Sequence, residues 1–126
     1  MKPKVKIFPS KAEAYHYMYY NKEQFVVIVN EDLQYCVTEP RHARRLIAEE
    51  DYLIDIESEG EKITREDLNL LGPLHRFRHL KHAVNAQNLD HLPTHILVGD
   101  DDHYWLLLPA DSKKLFEMGY DIPNYL

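Results

Sequence analysis

Five consecutive apolar residues, FVVIV at positions 25–29, constrain the fold of this chain more than any other segment. Polar residues, Gln24 and Asn30, bound the run on both sides. A half-exposed strand would alternate apolar and polar side chains, whereas an uninterrupted apolar run is typical of a strand covered on both faces. We therefore expect a strand here that lies inside a sheet with both of its faces buried.

The segments around this strand predict a hairpin flanked by helices. A turn at residues 30–32 is followed by a partner strand at residues 34–38. Before the hairpin, a short strand at residues 5–8 leads into a helix that ends near residue 20, with Ser10 and Glu13 in the spacing of a capping box. After the hairpin, Pro40 fits the first turn of a second helix, where its missing N–H does no harm.

The remainder of the chain predicts more strands and helices in no simple alternation. The predicted elements are a half-exposed strand at 53–57, helices at 64–71 and 73–87, strands at 95–99 and 103–108, and a helix at 112–118. This order predicts an α+β fold with one mixed or antiparallel sheet of five to six strands, and four to five helices packed on it. We see no internal repeat and no linker, so we expect a single α+β domain spanning residues 1–126.

Charge and cysteine content narrow the classes of protein to consider. The net charge is −6, and an acidic background disfavours general nucleic-acid binding. Cys36 is the only cysteine, so no internal disulfide forms and a reducing compartment is expected. No apolar run approaches the roughly 20 residues that a membrane-spanning helix needs. We expect a cytoplasmic protein that does not contact a membrane.

Two basic clusters are the candidate sites for binding an anion or a partner. The first lies in the early turns of the helix that begins near Pro40, and the second lies in the predicted helix at 73–87. Cations at a helix N-terminus oppose the helix dipole, so a bound anion there would be favoured. An ion pair between Arg45 and Glu49, with Glu39 offsetting the rest, is the structural alternative. The clusters comprise Arg41, His42, Arg44 and Arg45, and Arg76, Arg78 and Lys81.

Three histidines of the predicted helix at 73–87 are candidate metal ligands. His75, His79 and His82 would share one helix face, and two of them could chelate a divalent ion. All three could not bind one ion, because His75 and His82 would stand about 10.5 Å apart along the axis. A solvated basic face is the preferred interpretation, and we predict no metal and no cofactor.

Catalytic patterns are weak throughout. Cys36 falls in the middle of a predicted strand, where a cysteine usually behaves as a small buried hydrophobe. The acidic turn at 100–102 lacks the ligand spacing of a calcium loop, and four isolated glycines form no phosphate-binding loop.

Nine tyrosines suggest that part of the surface is an interface. We therefore expect a non-enzymatic protein-binding module of the inhibitor or immunity type, acting on a protein partner or by self-association. One alternative is a nucleic-acid or nucleotide-phosphate binder that uses residues 41–45 and 75–82. The other is a metal-dependent hydrolase that uses His75 and His79.

Overall fold

The computed structural model describes residues 5–21, 23–63 and 68–123. The chain divides into two compact units, Met1–Glu59 and Gly60–Leu126. Helices and antiparallel strands occur in both units, which confirms the α+β class. None of the helices within these described ranges is long and apolar enough to cross a bilayer.

The first unit is an antiparallel sheet with a helix on each face. Its elements are β1 (Lys6–Phe8), α1 (Lys11–Tyr20), β2 (Val26–Val29), β3 (Tyr35–Thr38), α2 (Pro40–Glu49), β4 (Leu53–Ile54) and the short α3 (Ile56–Glu59). The sheet order is β1-β3-β2-β4.

Both faces of this sheet are buried, as the apolar run predicted. Val27 and Val37 pack against α1. Ile28 and Cys36 are paired on the opposite face and are fully buried, and α2 contacts β2. The proline predicted in the first turn of α2 is found there. Ser10 has the extended backbone of an N-cap before α1, without a side-chain capping bond.

The second unit has the same kind of layering. Its elements are β5 (Glu61–Ile63), β6 (Leu74–Phe77), α4 (Leu80–Leu89), β7 (His95–Val98), β8 (Tyr104–Leu107) and α5 (Pro109–Glu117), with the sheet order β5-β6-β8-β7. Phe77, Ile96 and Leu106 form one buried cluster with Ala83 of α4. Leu97, Trp105 and Leu107 form another with Leu115 of α5.

Three predictions about the elements need correction. The described strands form two four-stranded sheets, not one sheet of five to six strands. The strands β1 to β4 pair among themselves, and the strands β5 to β8 pair among themselves. The helix predicted at 73–87 is wrong, since its first part is β6 and only α4 is helical. The strand predicted at 53–57 is limited to β4. Of the helix predicted at 64–71, residues 64–67 lie outside the described residues, and residues 68–71 form no α-helix.

The expectation that the chain holds no repeat is also wrong. In the first unit Lys6 pairs with Val37 and Val27 pairs with Val37 from the other side. In the second unit the residues 69 positions later, His75, Ile96 and Leu106, make the same pairs. The β1-β3-β2 arrangement is therefore repeated as β6-β8-β7. Val98, the counterpart of Val29 in β2, also forms an antiparallel bridge, with Asp121, one residue away from the register in which Val29 pairs with Leu53 of β4. The two units are two copies of one β-α-β-β-α design.

Candidate functional site

The first basic cluster lies on α2, as predicted, and two of its three arginines contact carboxylates. The Arg41 Nε lies 3.1 Å from a Glu39 carboxylate oxygen, and the Arg45 Nε lies 3.2 Å from a Glu49 oxygen. The His42 Nε2 is 3.7 Å from the same Glu39 carboxylate. Arg44 is partly buried on the same helix. The structural alternative drawn from the sequence thus describes the pairing of Arg41 and Arg45.

The second basic cluster does not form one helix face. Arg76 lies in β6, Arg78 is exposed in the turn after it, and Lys81 is the second residue of α4. The Arg76 guanidinium pairs with the Glu61 carboxylate across the β5–β6 strands and contacts Asp101 Oδ2 at 3.2 Å.

The three candidate metal ligands are also spread over different elements. His75 lies in β6, His79 is the N-cap of α4, and His82 is buried within α4. The rings of His79 and His82 are 5.8 Å apart between centroids. Over the described ranges, no three side chains of His, Cys, Asp or Glu come together as a metal site. Cys36 is fully buried in β3, and burial raises the pKa of its thiol.

An aromatic surface runs along the outer side of α1. Ala14, Tyr15 and Met18 form the buried face of this helix. His16 and Tyr20 lie on the opposite side, with ring centroids 4.6 Å apart, and Tyr20 is 80% exposed.

The same surface continues from α1 to β1 through Tyr17. The Tyr17 ring contacts Phe8 at 5.4 Å and stacks on Phe25 at 5.9 Å, measured between centroids. The ammonium of Lys6 lies over the Tyr17 ring, 4.9 Å from its centroid. We call the six residues Lys6, Phe8, His16, Tyr17, Tyr20 and Phe25 the β1–α1 surface.

Tyrosine exposure is uneven along the described chain. Tyr15 is the one tyrosine in the described ranges that is buried, while Tyr19 and Tyr20 are exposed. The second unit has Ala86 and Leu89 where the first has Tyr17 and Tyr20. Tyr17 and Tyr20 are therefore features of the first copy alone, and of these two Tyr17 also packs against the core of its unit.

A buried polar network lies beneath α1. The Tyr15 hydroxyl donates to Asp55 Oδ2 at 3.0 Å and also contacts the Ser58 hydroxyl. Lys11 Nζ lies 3.0 Å from Asp55 and 2.8 Å from Glu57. Burial raises the pKa of Tyr15, and the negative charge of Asp55 adds to that effect. This network joins α1 to α3, and we assign it a structural role.

A second polar network closes the β7–β8 hairpin of the second unit. Asp101 Oδ1 accepts bonds from the backbone N–H of His103 and from Trp105 Nε1, both at 3.0 Å. Burial disfavours the charged carboxylate, but the His103 N–H and the Arg76 guanidinium outweigh it and hold the pKa of Asp101 below its ordinary value. The acidic turn at 100–102, which lacks the ligand spacing of a calcium loop, thus includes a structural carboxylate.

The number of tyrosines predicted an interface, but it did not indicate the part that β1 and Phe25 contribute. The helical spacing does predict that Tyr17 belongs to this surface. Tyr17 lies about 60° from Tyr20 around the helix axis, so it adjoins the side of α1 that carries Tyr20. The strand that meets Tyr17 could be found only from the fold. The chain matches no protein-family model, no curated protein and no solved structure.

Proposed function

We propose that this chain is a non-enzymatic protein-binding module, and that the β1–α1 surface is where the partner binds. The observation that carries the proposal is the exposure of aromatic side chains on α1, above all Tyr20. Tyrosine offers a large apolar area with a polar end and loses little conformational freedom on binding, which is why it is enriched at interfaces. Their absence from the equivalent positions of the second copy indicates a role beyond folding.

The pairing of the basic side chains favours a protein partner over a phosphate. Arg41, Arg45 and Arg76 each contact a carboxylate of this chain. A phosphate binding there would have to displace those carboxylates, or bind beside them and be repelled. The β1–α1 surface combines apolar rings with one cation, Lys6, and needs no such displacement.

Co-purification from the native host tests this proposal. Wild-type protein is compared with Tyr20→Ala and with Phe116→Ala, a matched control because Phe116 is 53% exposed on α5 of the second unit. We expect a partner to appear in the native mass of the wild type and of Phe116→Ala, and to be lost from Tyr20→Ala. A partner retained by Tyr20→Ala and lost from Phe116→Ala would place binding elsewhere.

A further inference from the structure

One end of the first unit's sheet carries only acidic charges. The β2–β3 turn and the segment before β4 lie at this same end, because Val29 pairs with Tyr35 on one side and with Leu53 on the other. Residues 28–38 and 46–56 contain no lysine, arginine or histidine. The exposed acidic residues at this end are Glu31, Asp32, Glu49, Glu50 and Asp51.

The two segments act on one another electrostatically through Tyr52. Burial raises the pKa of the Tyr52 hydroxyl, and the negative charges of Cys36, Glu50 and Glu31 raise it further. A carboxylate from each segment therefore acts on the same hydroxyl. Glu49 contacts Arg45, whereas no cationic side chain within the described ranges contacts the other four carboxylates.

In the second copy, the aspartate of the corresponding turn binds an arginine of its own chain. The Arg76 guanidinium donates to Asp101 Oδ2 at 3.2 Å. Asp101 Oδ1 accepts the indole N–H of Trp105 and the backbone N–H of His103, both at 3.0 Å. A carboxylate at this position of the fold therefore accepts a guanidinium together with neutral N–H donors.

In the first copy the equivalent aspartate, Asp32, lacks all three of these partners. The positions 69 residues before the arginine and the tryptophan hold Ile7 and Cys36, and neither side chain has a nitrogen donor. The backbone N–H of Gln34 donates to the Asn30 side chain at 2.9 Å instead of to the aspartate. The Asp32 carboxylate is exposed and accepts no bond from the part of the chain that the structure describes.

Two exposed leucines accompany these carboxylates. Leu33 directly follows Asp32 and is 73% exposed, and Leu53 is 59% exposed. Leu33 has a φ of 61°, a conformation that the aspartate at the same position of the second copy tolerates better. The first copy therefore keeps an exposed apolar side chain where the repeated fold does not require one. We define the acidic end as Glu31, Asp32, Leu33, Glu50, Asp51 and Leu53.

The chemistry of this surface favours a guanidinium over a metal ion. Over the described residues, no three side chains of His, Cys, Asp or Glu come together as a metal site. A carboxylate matches the planar fork of a guanidinium, and the apolar stem of an arginine can cover a neighbouring leucine. The second copy supplies the example, since its turn carboxylate already holds Arg76.

We propose that the acidic end binds a basic, arginine-bearing segment of another protein. One guanidinium contacts Asp32, the other carboxylates of the acidic end add attraction for neighbouring cations, and Leu33 contacts apolar atoms of the segment. The acidic end shares no residue with the β1–α1 surface, so it is a second interaction surface that goes beyond the protein-binding function argued above.

The test uses the ¹⁵N-labelled full chain and a short acetylated and amidated peptide of alternating arginine and leucine. The control peptide has citrulline, the uncharged analogue of arginine, in place of each arginine. We expect the arginine peptide to shift the amide signals of residues 31–33 and 50–53, and to bind about tenfold more tightly than the citrulline peptide. Equal affinity for both peptides, or shifts confined to other residues, would overturn the proposal. Calcium chloride that shifts the same amides at lower concentration than the peptide would assign the surface to a metal ion and would also overturn it.

Two variants test the charge argument with the same change in net charge. Asp32→Asn should weaken binding of the arginine peptide about fivefold, because it removes the acceptor of the guanidinium. Glu117→Gln, at an exposed glutamate on α5 of the second unit, should weaken binding less than about twofold at roughly 0.15 M salt. Equal weakening by both variants would reduce the effect to overall charge and overturn the proposal.

Leu33→Asn separates peptide binding from stability. Asparagine tolerates positive φ, so this variant should unfold at the same or a higher urea concentration than the wild type, while it binds the peptide about threefold more weakly. Leu92→Asn is the matched control, since Leu92 is 61% exposed in the second unit, and it should bind like the wild type. Unchanged binding in Leu33→Asn would overturn the apolar contact.

Tyr20→Ala separates this inference from the proposed function. Tyr20 lies outside the acidic end, so this variant should bind the arginine peptide as tightly as the wild type does. Loss of peptide binding in Tyr20→Ala would place the peptide on the β1–α1 surface and overturn the proposal. Conversely, loss of the native partner from Tyr20→Ala with peptide binding retained would leave both surfaces standing.

Discussion

Leu33 and Asp102, 69 residues apart, have the same left-handed backbone, with φ of 61° and 63°. Each donates its backbone N–H to the carbonyl three residues earlier, at Asn30 and Gly99. The N–H groups of Asn30 and Gly99 in turn donate to the carbonyls of Gln34 and His103. The two hairpin turns therefore share one backbone design although their sequences differ, which extends the repeat from the strands to their connections.

Leu33→Gly should stabilise the protein. A leucine with positive φ places its Cβ too close to the backbone, and its side chain is 73% exposed, so little packing is lost. We expect the free energy of unfolding, measured by urea denaturation, to rise by about 0.5–1 kcal/mol. This is less than the full relief of backbone strain, because glycine makes the unfolded chain more flexible. Asp102→Gly is the matched control and should gain less, because aspartate tolerates this conformation better. A loss of stability in Leu33→Gly would contradict the strain argument.

Gly99→Ala should destabilise the second unit. A Cβ at this position would overlap the indole ring of Trp105, which is fully buried. Overpacking of this kind costs about 1–3 kcal/mol. Combining Gly99→Ala with Trp105→Phe should cost less than the sum of the two single changes, since the smaller ring leaves room for the methyl group. Strict additivity in thermal or urea unfolding would show that the two residues do not interact.

Tyr15→Phe should make the protein less stable at neutral pH and less sensitive to alkali. Removing the hydroxyl leaves Asp55 and Ser58 without their buried partner, at a cost of about 1–3 kcal/mol. The folded-state pKa of Tyr15 is raised, so its neutral form favours folding, and this contribution is full below the ordinary tyrosine pKa of about 10 and is lost as pH rises above it. The stability of the wild type should therefore fall more steeply above pH 10 than that of the variant. Parallel pH profiles would contradict this reasoning.

Asp111→Ala should be more damaging than any exposed aspartate change. Asp111 is fully buried at the start of α5 and accepts the backbone N–H groups of Leu71 at 2.7 Å and Gly72 at 2.9 Å. Loss of both charge-assisted bonds should cost about 2–4 kcal/mol in urea unfolding. Asp100→Ala, an exposed control, should change stability by less than about 0.5 kcal/mol.

The sequence predicted the hairpins and helices whose signals are local. The uninterrupted run at 25–29 identified β2, and Pro40 identified the start of α2. The helix predicted over residues 74–77 was wrong because the histidines and arginines of this region repeat at helical spacing. The burial of these residues in fact depends on neighbouring strands on both sides. Leu74 and Phe77 are buried and the two residues between them are partly exposed, a pattern set by pairing with β5 and β8. Such tertiary pairing leaves no local signature.

The repeat could not be detected in the sequence because the two copies share few identical residues. Between residues 5–54 and 74–123 seven aligned positions are identical. They are Phe8 and Phe77, Ala14 and Ala83, Val29 and Val98, Asp32 and Asp101, Tyr35 and Tyr104, Pro40 and Pro109, and Leu46 and Leu115. Most of these lie in the core or begin a helix, where many sequences satisfy the same packing. The β1–α1 surface could be anticipated only in its helical half, since its strand contribution depends on the register of β1 against β3.

Site-specific photocross-linking in the native host tests the central claim most directly. A photoreactive phenylalanine analogue replaces Tyr20 in one variant and Phe116 in another, so that a probe of the same kind reports from an exposed position of each unit. The account predicts that illumination joins the probe at position 20 to one defined protein, while the probe at position 116 yields no such product. Cross-linking to the same protein from position 116 but not from position 20 would contradict binding at the β1–α1 surface.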